Sequence, residues 1–341
     1  MRKAGKDKAN TGLIYAGLML CLALLFLLSV LSGSVSTAPE EWLSALFRGP
    51  SEEMTGIVLW SLRLPRFAAA IVMGSGLAVS GYLLQTYFEN PIAGPYVLGI
   101  SGGAKMSLVL LLCFLLPTGI RITAAMMISA CFAGALLSTG IILCVASRVR
   151  HAASILIGGV MIGYAANAVT DFLITCCEEA EAAGIHGWSL GSFSGIGWEE
   201  TGTAASVIVP LLLLTCCLSR EIGALRIGEG YASTMGVPVK LFRILLILTA
   251  CLLSAVVTAF SGPISFVGVA VPFIMKKLLR TTAPEILLPA IILGGAIFTA
   301  GADLLARTML SPSELNISTV TSLFGAPLVI IMLMERGRHG E

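Results

Sequence analysis

The chain has 341 residues, of which 57% are apolar and only 12% charged, and its net charge is +2. A soluble globular domain carries roughly a quarter charged residues, so this composition excludes an ordinary water-soluble fold, and the small net charge gives no reason to expect nucleic acid as a partner. Apolar runs of about 20 residues, the length that crosses a ~30 Å hydrocarbon core, recur along the whole sequence, which therefore reads as an all-α polytopic membrane protein.

Residues 1–12 form a basic N-terminal tail, expected to be disordered over its first ten residues, and the first span follows at 13–31. Its apolar core is long and no A-x-A-like cleavage site follows cleanly, so it reads as a retained helix and not as a signal peptide. Residues 33–56 read as a polar loop with Glu40, Glu41, Glu52 and Glu53, and Trp42 and Trp60 are expected at the membrane interfaces. Further spans are expected at about 67–88, 96–116, 122–146, 153–175, 203–218, 240–260, 264–279, 286–310 and 317–334.

Charge sets the expected topology, because positive charge marks the cytoplasmic side. Basic residues gather in the N-terminal tail, at Arg148 and Arg150, at Arg220 and Arg226, at Lys276, Lys277 and Arg280, and at Arg336 and Arg338. Glutamates gather in the loops between, including Glu178, Glu179, Glu181, Glu199 and Glu200. Two basic termini require an even number of spans, so the short eighth segment is counted and the total is ten. Residues 13–335 then form one transmembrane domain, with both tails (1–12 and 336–341) in the cytoplasm and a polar loop at 219–239.

The chain is organised around residues 63–104, RLPRFAAAIVMGSGLAVSGYLLQTYFENPIAGPYVLGISGGA. Small residues at Gly74, Gly76, Ala78, Ser80 and Gly81 suit close helix–helix contact in lipid. The prolines Pro91 and Pro95 cannot sit in one straight helix, so 90–95 is a turn or broken helix, expected to be buried against protein because it lacks positive charge. Gly159 and Gly163, a small-xxx-small pair, are candidates for the pathway wall, with helix packing the preferred reading. GSGLAVSG at 74–81 and FSGPISFVG at 260–268 sit in comparable places and read as a weak inverted repeat.

Catalytic and metal chemistry find no support. A phosphate loop fails at residues 99–106, where Ala104 replaces the second glycine and Met106 follows the lysine. The nine cysteines, Cys176-Cys177 and Cys216-Cys217 among them, have no CxxC or histidine spacing suited to zinc. Energy for active transport would have to come from another chain. A carrier driven by an ion gradient would want membrane-embedded carboxylates, and only Asp171 and Asp303 approach that pattern.

RLPR, GxxLAxSGxxxQ and NPIAxPxxLGISxGA resemble the signature of FecCD-type permeases, the membrane subunits of ABC importers for ferric siderophores, haem and cobalamin. The resemblance runs from about residue 57 to 335 and implies a type II ABC importer permease that imports an iron chelate, or alternatively cobalamin. It implies two ATPase subunits, an extracytoplasmic binding protein and a second permease copy, identical or paralogous, in the bacterial cytoplasmic membrane. LRIGEGYASTMGV at 225–237 resembles the coupling segment that docks on the ATPase, with Gly228, Glu229, Ala232, Met235 and Gly236 at its core. The resemblance assigns Arg63, Arg66 and Arg307 to binding-protein docking, where interfacial snorkelling is the alternative reading, and Asn90 and Ile92 to the inner gate. Two positions depart from the family: Phe273 stands where a histidine is common, and Lys105 where a small or apolar residue is usual. Lys105 either faces the translocation path, neutralised by Asp171, or snorkels toward a helix end.

Overall fold

A computed structural model describes residues 2–32, 39–51, 53–148, 152–176, 185–310 and 313–338, and these contain helices and no strand. Glu52, Arg150, His151, Cys177, Glu178, Glu179, Glu181 and the tail beyond residue 338 lie outside the described residues.

The first helix, α1 (Arg2–Leu31), starts at the second residue, so the tail expected to be disordered is helical. Lys, Arg and Ala are good helix formers, and extending an existing apolar helix avoids the cost of a new nucleus. The expected polar loop holds α2 (Pro39–Arg48), with proline first, Glu40 and Glu41 in the first turn and Arg48 in the last. That order matches the helix dipole and was readable in the sequence. Trp42 is not interfacial: it is 1% exposed, with the Arg63 guanidinium 3.7 Å from its ring centroid.

Helix α3 (Met54–Tyr87) starts well before the expected residue 67 and runs unbroken for 34 residues. Its turn at Val58–Arg63 is π-helical. This wide turn ends just before Pro65, whose missing N–H and bulky ring would disrupt a continuous α-helical ladder. The remaining elements include α4 (Ile100–Leu115), α5 (Ala124–Ala146), α6 (Ala152–Thr175), α7 (Trp198–Cys217), α8 (Ser219–Ile227), α9 (Glu229–Thr234), α10 (Val239–Ser261), α11 (Val267–Leu279), α12 (Pro284–Thr308) and α13 (Ile317–Arg338).

Among the described residues nine helices are long and apolar enough to cross a membrane. The expected eighth span is α11, whose 13 residues reach only about 20 Å at 1.5 Å per residue. Most of its first half is fully buried, so the tenth segment is a short helix lodged in protein.

α3 is the central helix, packed on α7, α10, α11 and α12. Polar side chains tie these contacts to backbone: Ser80 Oγ donates to the Ala250 carbonyl at 2.7 Å, and Thr299 Oγ1 to Ala70 at 2.6 Å. The closest approach is at glycine. A Cβ on Gly81 would lie 1.9 Å from the Gly268 carbonyl oxygen, so the two segments read as a repeat are packed against each other. Gly159 and Gly163 back onto Leu98 and Gly99, which bears out the packing reading.

Gly81→Ala therefore forces two backbones apart and is expected to destabilise the protein by about 1–3 kcal/mol, the usual cost of overpacking. Gly230→Ala, where a Cβ meets nothing within 4 Å, is the control. Thermal unfolding in detergent should show a lower midpoint for the first and little change for the second.

Candidate functional site

One end of the bundle gathers the broken segment, the polar loop and the C-terminal half of α11. α3 stops at Tyr87, and Glu89 takes a left-handed φ of 51° that turns the chain. Asn90 is buried, and its Oδ1 accepts from the Ile92 amide at 3.1 Å, a side-chain turn that satisfies the backbone locally. Ile92 is half-buried, Pro95 is buried, and α4 begins only at Ile100, capped by Gly99 at φ 70°. The segment expected to be buried against protein is so placed, and the third span starts later than residue 96.

The polar loop forms two short helices, α8 and α9, joined at Gly228. This residue has φ 148° and ψ 152°, a conformation open essentially to glycine alone. Gly236, at φ 82°, ends the segment before α10. Ala232 is fully buried and seats α9, so the outer surface of the pair lies elsewhere. That surface carries Ile227, Tyr231 and Met235, which are 69%, 46% and 64% exposed. Met235 was singled out from the sequence; Ile227 and Tyr231 were not.

Arg243, in the first turns of α10, joins the two features. Its Nη1 lies 2.8 Å from Glu229 at the start of α9, and its Nη2 lies 3.5 Å from Glu89 in the turn. The guanidinium also stands 5.3 Å from the centre of the Tyr87 ring. Sequence reading missed Arg243, because its partners are remote along the chain and only the fold brings them together.

The opposite end holds the three arginines expected to meet a binding protein, and none stands free. Arg63 is 6% exposed and donates to the Val30 carbonyl. Arg66 Nε donates to Asp303 at 2.8 Å, and its Nη1 reaches Glu314 at 2.9 Å. Arg307 donates through Nη2 to Ser29 Oγ at 2.6 Å, with Nε 3.8 Å from Asp303. They tie α1, α3 and α12 together around one buried carboxylate, and they do not snorkel outward. Of the network's polar nitrogens, Arg66 Nη2 and Arg307 Nε are buried without a hydrogen-bond partner. Lys105 is 8% exposed on α4, and Asp171, the carboxylate expected to neutralise it, is exposed on α6. Phe273 lies beside Lys277, whose Nζ is 5.8 Å from its ring centroid.

An all-helical bundle with a short inserted helix, a broken segment and an exposed helical pair at one end defines the membrane-spanning permease of a type II ABC importer. The FecCD transport family model matches residues 21–335, and the chain belongs to that family. It is 35% identical over 323 residues to the vitamin B12 import system permease protein BtuC of Klebsiella pneumoniae, covering 94% of each chain. The BtuC of Salmonella typhi is 35% identical over 321 residues, again with 94% of both covered. Among solved structures, an inward-facing chain described as a metal-chelate type ABC transporter superposes with a TM-score of 0.78 at 25% identity, covering 94% of this chain and 99% of that one. The PsaBC structure from Streptococcus pneumoniae, at a TM-score of 0.59 and 16% identity, covers 81% of this chain and 92% of that one and shares the fold.

Among the described residues Asp303 is the carboxylate that Arg66 and Arg307 share, so Asp303→Ala leaves the buried Arg307 guanidinium without an acidic partner. It is expected to cost about 3–5 kcal/mol, as for other broken buried pairs. Glu314→Ala removes a carboxylate that is 43% exposed and should cost no more than ~1 kcal/mol. Denaturant unfolding of the two variants in mixed micelles separates these outcomes.

Proposed function

We propose that the chain is the permease subunit of an ABC importer that carries a bulky metal chelate, a ferric siderophore or haem, into the cytoplasm. It works as one of a pair of permeases with two ATPase subunits and an extracytoplasmic binding protein, both of its termini lying in the cytoplasm. The observation that carries this reading is the α8–α9 pair. Exposed Ile227, Tyr231 and Met235 form an apolar surface of the kind that marks a protein contact. The absence of a phosphate loop from the sequence makes the ATPase the fitting partner for that surface.

In this reading Arg243 passes movement of α9 to the turn at Glu89, while Asn90 and Ile92 form the inner gate. Lys105 faces the path beside Asp171 and favours an anionic chelate. Docking of the binding protein falls to the end of the bundle that Arg63, Arg66 and Arg307 hold together, where Glu314, 43% exposed, is the accessible member of the network. A cobalamin cargo is the second reading, favoured by the 35% identity to the vitamin B12 permeases.

Reconstitution in proteoliposomes with the cognate ATPase and binding protein tests these readings together. ATP-dependent uptake of a ferric siderophore or haem is expected; uptake of cobalamin alone would establish the second reading. Uptake that ignored ATP and followed an imposed proton gradient would overturn both. Met235→Asp should abolish copurification of the ATPase. Arg243→Gln should lower uptake per ATP hydrolysed while leaving the complex assembled.

A further inference from the structure

Below the gate turn lies a polar cavity of about 260 Å³, walled by Gln85 of α3, Glu89 and Asn90 of the turn, Arg226 of α8 and Lys276 of α11. Two cations converge in it. Lys276 Nζ donates to Gln85 Oε1 at 2.9 Å, and Arg226 Nη1 donates to the Tyr82 hydroxyl at 3.1 Å and the Thr282 carbonyl at 2.9 Å. Both stand over the same ring: the Arg226 guanidinium lies 5.6 Å and the Lys276 ammonium 5.5 Å from the Tyr82 centroid.

All of these partners are neutral. Among the described residues neither cation has a carboxylate within ion-pairing distance, and the cavity's own carboxylate, Glu89, is 3.5 Å from Arg243. Two half-buried like charges facing one space repel each other, and partial desolvation raises the cost of leaving them uncompensated. The arrangement is relieved by an anion. A cavity of this size holds a phosphate group but falls below the 300–1,000 Å³ of sites for drug-sized ligands, so it cannot enclose a bulky chelate.

We infer that this cavity is an oxyanion site for a phosphate group, held by Arg226 and Lys276 with Gln85 and Asn90 as polar wall. Arg offers a planar fork of donors for phosphate oxygens and Lys a compact point charge. The phosphate comes either from solution or from an anionic lipid, since basic pockets between membrane helices take such headgroups on the cytoplasmic side. Wherever it originates, the bound group bridges α8, α11 and the gate turn.

Two measurements on the full-length chain test the site: isothermal titration with inorganic phosphate in neutral detergent, and native mass spectrometry after extraction from nanodiscs of phosphatidylglycerol and phosphatidylcholine. One phosphate per chain, or one retained phosphatidylglycerol, is expected, with affinity or retention at least about tenfold lower in Arg226→Gln and Lys276→Gln. Binding in the titration alone identifies a soluble phosphate, and retention from nanodiscs alone identifies a headgroup. Lys276→Arg should keep most of the binding, which separates loss of the site from loss of the fold. Lys240→Gln removes an exposed charge outside the cavity and should change nothing. Absence of binding in both measurements, or equal loss in Lys240→Gln, would overturn the assignment.

Discussion

At Gly81 and Gly268 two backbones meet with no side chain between them, and the layout of one whole end of the molecule follows from that contact. In lipid, burying apolar surface does little to draw helices together, so close packing and polar side chains have to hold them. Gln85, one helical turn beyond Gly81, lands beside the same carbonyl and donates to it at 3.2 Å through Nε2. Its other amide atom is thereby aimed at Lys276. The position of α11, the wall of the inner cavity and the approach of a lysine from the far half of the chain all rest on glycine at one position.

The two ends of the bundle use charge in opposite ways. At one, Arg63, Arg66 and Arg307 are enclosed with Asp303 and bind α1, α3 and α12 into a unit. Buried pairs of this kind are costly to break and poorly suited to motion. At the other end the acidic partners are exposed: Glu89 is 72% and Glu229 54% accessible, and their common arginine on α10 is 31% exposed. Exposed pairs are weak, so these elements can rearrange. The closed end is held firmly and the open end loosely.

The sequence exposed much of this because lipid imposes simple rules. Apolar length marked the long helices, and Asn90 to Pro95 marked the break. Gly228 and Gly236 proved to occupy backbone conformations that favour glycine. What escaped reading were features in which tertiary packing overrides local pattern. The basic tail joined α1, and α3 began at Met54 because a π turn accommodates Pro65. α2 carried a legible signal in its proline and its end charges, masked by the polarity of its surroundings. Trp42 followed a sound rule for aromatic residues at interfaces, yet a guanidinium stacked on its ring gave it a buried place. Of the site, the glycine joints and the buried asparagine were visible in one dimension. Arg243 and the convergence of Arg226 with Lys276 were not, since neither has a sequence spacing.

Gly228 has a mechanical meaning as well as a conformational one. Apart from its chain neighbours nothing lies within 4 Å of where its side chain would be, so α9 is seated by the buried Ala232 and not by contacts at the joint itself. Beside that buried contact, the tether on the far side of this joint is the 2.8 Å pair from Arg243 to Glu229, whose carboxylate is 54% exposed. Surface pairs of this kind weaken as the Debye length shrinks, from about 10 Å at 0.1 M salt to about 3 Å at 1 M. One part of the joint's stiffness therefore falls as salt rises, while the part that the buried alanine supplies does not.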